Sequence, residues 1–207
     1  MTEGSSNGAL RSYAARILRE NDVGTWTKAA PQQYPHQWSW DAAFVAVGWA
    51  HLDVKRAFVE LENLFAAQWS TGMVPHIVFD PTADADAYFP GPTRWACGIS
   101  PNAPTHGSAT SGICQPPVHA IAAARIWEKA DANTKPQLKR LYPRLLRWHR
   151  YLMTQRDPER SGLISIYHPW ESGTDNSPRW DRVLAGIEIG EVPPYRRRDN
   201  VHVTDST

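Results

Sequence analysis

Within nine residues, Trp170-Glu171-Ser172-Gly173-Thr174-Asp175-Asn176-Ser177-Pro178 gathers two carboxylates, an indole and a glycine turn. A carboxyl held against an apolar ring has its pKa raised, and such a carboxyl can act as the general acid in glycoside cleavage. Ser177 followed by Pro178 is a helix-start signal, with the serine as cap and the proline as first helical residue. Asp175 is therefore expected on a loop just ahead of a helix, aimed off the scaffold. A helix N-terminus disfavours protonation. Trp170 and Glu171 must outweigh it for an acid role at neutral pH. The plain alternative is an Asx-type turn, which Thr-Asp-Asn-Ser also describes.

Trp38-Ser39-Trp40-Asp41 opens a second candidate helix. Three residues separate Trp38 from Asp41, so the two share a face if the helix has begun. An ionised Asp at a helix start is favoured by roughly 0.3–1 kcal/mol and can accept from two sugar hydroxyls, with Trp as a stacking surface. Its bland reading is a residue that merely complements the helix dipole. Gln115 precedes Pro116-Pro117, and its amide both donates and accepts, which matches a hydroxyl. Asp157-Pro158-Glu159-Arg160-Ser161-Gly162 opens like a calcium loop, but its twelfth position is His168 where the cage needs a glutamate, so a helix-ending turn is expected. The eight histidines lack paired metal spacing, and Cys97 and Cys114 read as thiols. Neither a phosphate loop nor a serine-nucleophile elbow is present, and the chemistry envisaged needs no cofactor.

To position these groups, the 207-residue chain offers 42% hydrophobic residues, enough for a core, and a formal charge of +1. That balance gives no electrostatic reason for nucleic acid or an anionic membrane as partner. Arg196-Arg197-Arg198 is followed by Asp199 and reads as a solvated tail. No apolar stretch reaches signal or membrane-spanning length, so a cytoplasmic location is expected. Oligomeric state is not readable. Tryptophan, with ten copies, suits both carbohydrate clefts and cores.

Apolar residues recur with helical period. Val54, Ala57, Phe58, Leu61, Leu64 and Phe65 make one stripe over about 53–67. Leu138, Leu141, Tyr142, Leu145, Trp148 and Leu152 make another, with Pro143 expected to kink or break it. Further helices are expected at about 9–20, 39–51, 117–130 and 178–189, the one at 117–130 burying Val118, Ile121, Ala122 and Ile126. Leu163 to Tyr167 is the one weak strand candidate. The chain reads as all-α: a flexible 1–8, a helical domain over 9–191 and an irregular 192–207. A long proline-rich connection over 70–113 carries His76, Tyr88, Phe89 and Trp95, placed to line or cover a cleft.

Taken in order, Gln37-Trp38-Ser39-Trp40-Asp41, Met73-Val74-Pro75-His76, Ser111-Gly112-Ile113-Cys114-Gln115-Pro116-Pro117 and Trp170 to Pro178 resemble glycoside hydrolase family 63. The nearest likeness is to its bacterial mannosylglycerate and glucosylglycerate hydrolases, and Glu-Ser-Gly-x-Asp is also similar to the trehalases. The likeness runs from about Tyr13 to Tyr195. It implies an (α/α)6 barrel of six-hairpin type and inverting hydrolysis of a small α-glycoside. By motif position it implies Asp175 as general acid and Asp41 and Gln115 as ligands of the innermost sugar. Tyr34, Trp38, His76, Tyr88 and Trp170 are implied as pocket lining, and Glu171 as a support for Asp175.

About six helices are expected here against twelve in such a barrel, and the family's general base, a glutamate, falls in the remainder. Inversion needs that second carboxylate roughly 6.5–9.5 Å from the acid, on the opposite face. Glu171 sits on the acid's own loop, so it does not suit that task. The end of the chain, Val201 to Thr207, shows no helix signal, as a truncated or shifted frame would. Three readings follow: the N-terminal portion of an α-glycosidase, a noncatalytic sugar-binding half-barrel, or an unrelated helical-repeat scaffold.

Overall fold

The computed structural model describes residues 3–84 and 87–186. Five helices carry it: α1 (Glu3–Glu20), α2 (Ser39–Trp49), α3 (Val54–Ala66), α5 (His119–Lys129) and α6 (Lys135–Gln155). The short α4 (Pro92–Trp95) lies in the long connection, and α7 (Asp181–Leu184) follows the Asp175 loop. Two-residue strands, β1 (Gln37–Trp38) and β2 (Ile77–Val78), pair antiparallel with Trp38 opposite Ile77.

α2 sits at the centre, packed on α1, α3 and α5, while α6 packs on α3 and α5. Its sequence, SWDAAFVAVGW, is apolar on nearly every side, as befits a helix surrounded by others. α3 starts where Asp53 caps it, accepting from the Lys55 and Arg56 amides at 2.8 and 3.2 Å. Its stripe of Ala57, Phe58, Leu61, Leu64 and Phe65 is buried as the periodicity requires. Burying each large member stabilises by roughly 1.5–3 kcal/mol.

Two buried polar clusters fix the ends of these helices. Glu60 accepts from Thr27 Oγ1, Gln37 Nε2 and Arg56 Nη2 at 2.8, 2.8 and 3.0 Å, which anchors β1 to α3. His119 Nε2 lies 3.0 Å from Ser39 Oγ and 3.1 Å from the Ser39 carbonyl oxygen, joining the start of α5 to the start of α2. Burial lowers the His119 pKa to about 4, so the clamp uses a neutral imidazole.

Several expectations are corrected. α1 begins at Glu3, six residues ahead of the helix expected from residue 9. α6 passes through Pro143 without a break. Proline there deprives the Lys139 carbonyl of a partner, and the exposure of that turn lets water supply one. Leu163 to Tyr167 is irregular chain, not a strand. The last expected helix is a 3-10 turn (Pro178–Trp180) running into α7, and residues 187–207, including the proposed tail, lie outside the described residues. Ile121 and Tyr142, assigned to buried stripes, are 65% and 63% exposed. Tyr142 instead lines an apolar groove of about 520 Å³ between α5 and α6, with Ala123, Trp127 and Leu146.

The proline-rich connection is folded back on the helices instead of free. Trp69 Nε1 donates to Thr110 Oγ1 at 3.0 Å, and the Ile77 amide donates to Ser111 Oγ at 2.9 Å. Trp95 and His76 are buried within it.

Candidate active site

Trp38 ends β1 in an extended conformation and caps α2. The helix begins one residue later, so Trp38 and Asp41 lie on either side of a strand-helix joint and not on one helical face. Trp38 is the hub of an aromatic wall. Tyr34 and Tyr88 each stand with ring centroids 4.9 Å from it, edge to face, and His76 lies at 6.4 Å. His76 continues the wall to Trp170 at 5.1 Å. Aromatic pairs in this range are individually worth about 0.5–1.5 kcal/mol and hold one another rigidly. Tyr34 is exposed and Tyr88 half-buried, whereas Trp38 and Trp170 are buried.

Asp41 occupies the first turn of α2, half-buried. Burial raises its pKa above the ordinary 3.8, and the charge of Asp175 pushes the same way. Its own backbone amide and the Trp40 side chain oppose the shift by hydrogen bonding. Desolvation is the largest of these effects, so the Asp41 pKa lies above that of a free aspartate. Asp175 is exposed on its loop, and its charge acts on Asp41.

That loop is built from local rules. His168 caps a 3-10 turn (Pro169–Ser172), its Nδ1 accepting from the Trp170 amide at 3.2 Å. Gly173 follows at φ 68, a left-handed conformation where L side chains are strained. A Cβ there would stand 2.8 Å from Trp40 Cζ3 and 3.1 Å from Pro116 Cγ. Glycine therefore lets the Asp175 loop lie flat against the α2 start and the Gln115 loop. Ser177 caps Pro178–Trp180 as its Ser-Pro pair predicts.

Gln115 is buried and spends its carbonyl on the Trp40 amide, accepting at 3.1 Å. It fixes the α2 N-terminus, which has amides without helical partners. Asp157 closes a turn, accepting from the Ser161 and Gly162 amides at 2.7 and 2.8 Å, as the helix-ending reading expects.

Two predicted residues have different surroundings from those expected. Glu171 is buried, with both oxygens engaged by the Arg156 guanidinium at 2.6 and 2.9 Å. These contacts hold its pKa below the usual carboxylate range against the effect of burial. This internal pairing uses both carboxylate oxygens. His76 is buried, and burial with nearby His168 drives its pKa well down, making it a neutral wall member. Arg156 and His119 escaped the sequence reading because their partners lie on other elements.

A profile of the mannosylglycerate hydrolase MGH1-like glycoside hydrolase domain matches residues 34–205. The chain belongs to that family. The glucosylglycerate hydrolase of Mycolicibacterium hassiacum is 53% identical over 204 residues, which cover 95% of this chain and 45% of that protein. Among solved structures, the family 63 mannosylglycerate hydrolase of Thermus thermophilus, with Tris and D-glycerate, superposes with TM-score 0.77 at 44% identity. The match covers 92% of this chain and 44% of that one. The same enzyme in complex with glucose gives TM-score 0.72 at 43% identity, over 94% of this chain and 45% of that one. This MGH1-like chain thus spans under half the length of these relatives. No described helix is long and apolar enough to cross a membrane.

Proposed function

We propose that this chain is the glycone-binding, acid-bearing portion of an inverting α-glycosidase acting on a small glycoside such as glucosylglycerate or mannosylglycerate. The observation that carries it is the charge interaction between Asp41 and Asp175, far apart in sequence, together with the aromatic wall in which Trp38 joins Tyr34 and Tyr88 and His76 joins Trp38 to Trp170. In this mechanism Asp175 protonates the leaving oxygen. Asp41 receives glycone hydroxyls, Gln115 contributes to the same subsite, and the aromatic wall packs on the sugar. Trp180 Nε1 donates to the Thr174 carbonyl at 2.9 Å, which steadies the turn that carries the acid.

Inversion also requires a carboxylate to activate water across the ring. Glu171 does not fit that role, because Arg156 and backbone amides use both its oxygens. The base belongs instead to the part of the relatives' length that this chain does not span. Placement of α2 beside α5 and α3 beside α6 supports part of an (α/α)6 toroid.

Hydrolysis of glucosylglycerate and mannosylglycerate by the purified chain, with Asp175→Ala alongside, is the test. Turnover abolished by the substitution establishes the enzyme without further polypeptide. The engagement of Glu171 favours a second reading, a binding half-barrel, and retained sugar binding without turnover would establish it. Neither binding nor turnover would refute both.

A further inference from the structure

Arg156 closes α6 with its guanidinium fully buried, and its partner Glu171 lies in the turn ahead of Asp175. The pair is a fork: Nη2 donates to Oε1 at 2.6 Å and Nη1 to Oε2 at 2.9 Å. The carboxylate then reaches two other segments. Oε1 accepts from the Cys114 amide at 3.1 Å, and Oε2 from the Tyr167 and His168 amides at 2.7 and 3.3 Å. Arg156 in turn donates from Nε to the Tyr151 hydroxyl at 3.0 Å and from Nη1 to the Ser165 carbonyl at 3.2 Å. Its guanidinium carbon lies 4.1 Å from the Tyr167 ring centre.

A buried ion pair is weak evidence for stability, since apolar residues of similar volume often serve as well. Direction is what this one supplies. Cys114 is bonded to Gln115, Gln115 holds the Trp40 amide, and Glu171 precedes the Gly173 turn that lies against Trp40. A single carboxylate is therefore common to the loop of Asp175 and the loop of Gln115.

We propose that Arg156 is a positioning residue, acting through Glu171 to keep the Asp175 and Gln115 loops in one register at the start of α2. This deepens the glycone-site reading and rests on it for function, although the geometry stands by itself. Arg156→Lys keeps the charge and loses the fork. Glu171→Gln keeps the shape and loses the charge, and it carries the test alone if Arg156→Lys does not fold. Leu64→Ala, in the buried stripe of α3, is the stability control.

Amide hydrogen exchange and glucose affinity are measured on the 207-residue chain at a temperature where each variant is folded. The Trp40 and Ser177 amides, neither of which touches Arg156 or Glu171, exchange about tenfold faster in both hub variants and unchanged in Leu64→Ala. The glucose Kd rises about tenfold in the same two variants. Faster exchange confined to Cys114, Tyr167 and His168, or an equal response in Leu64→Ala, overturns the proposal. A wild-type chain that binds no glucose refutes the glycone reading, while the exchange result still decides the positioning role.

Discussion

Gly173→Ala perturbs the point where the acid loop, the Gln115 loop and α2 meet. Holding an alanine at φ 68 costs about 1–2 kcal/mol. The new Cβ would stand 2.8 and 2.9 Å from two atoms of the Trp40 ring and 3.1 Å from Pro116, and relieving such overpacking costs typically about 1–3 kcal/mol. Together these predict roughly 2–5 kcal/mol, or a fall in Tm on the order of 4–20 °C for a chain of this size. Trp40 is half-buried and its ring can yield, so the folded protein survives with Trp40 and the Asp175 loop displaced. Gly72→Ala is the comparison. Its φ is 101, and its Cβ would meet the Arg147 backbone oxygen at 2.6 Å, a clash against α6 and away from the acid loop. Scanning calorimetry and sugar titration on both variants separate the effects. Gly72→Ala loses stability while its folded fraction binds normally, and Gly173→Ala loses both. Equal affinity in the two folded variants, or an unshifted Tm for Gly173→Ala, would refute the reasoning.

Three more outcomes are expected. Because the Asp41 pKa is raised on folding, the folded state binds more protons than the unfolded one just above pH 3.8, so this residue's contribution to stability falls as pH rises through that window. Asp41→Asn should remove that decline in pH-dependent denaturation curves, and an unchanged curve would count against a raised pKa. Asp175→Asn should lower the Asp41 pKa towards 3.8 in a carboxyl NMR titration, and no change would deny the charge interaction between the two carboxylates. Cys97 and Cys114 are both buried, with burial pushing the Cys97 thiol up to about 12, so neither should alkylate in the native protein at about pH 8, and mass spectrometry of the treated chain checks this.

What could be read in advance was local. Ser177-Pro178 is a cap and a first helical residue wherever it occurs, and the turn of Gly173 precedes it in the chain itself. The α3 stripe follows from spacing because one helix buries one face. Partnership across elements could not be read. Glu171 looked like a neighbour of Asp175 because it stands four positions before it, yet it pairs with Arg156 at the end of α6. Periodicity marked Ile121 and Tyr142 as apolar, but spacing cannot say which packing partner is present, and both lie on an open face. Ser39 and His119 had no visible relation until α2 and α5 were side by side. The desolvation that raises Asp41 depends on the aromatic residues and loops around it, while the helix dipole is visible from its position alone.

Calorimetric titration of glucosylglycerate into the wild-type chain and into Asp41→Ala addresses the central claim most directly. An ionic hydrogen bond left unmade costs about 1.5–3 kcal/mol, which corresponds to roughly 10- to 100-fold in affinity. The account predicts saturable binding to the wild type, weakened by that factor in the variant. No binding by the folded wild-type chain, or equal binding by both, would contradict it.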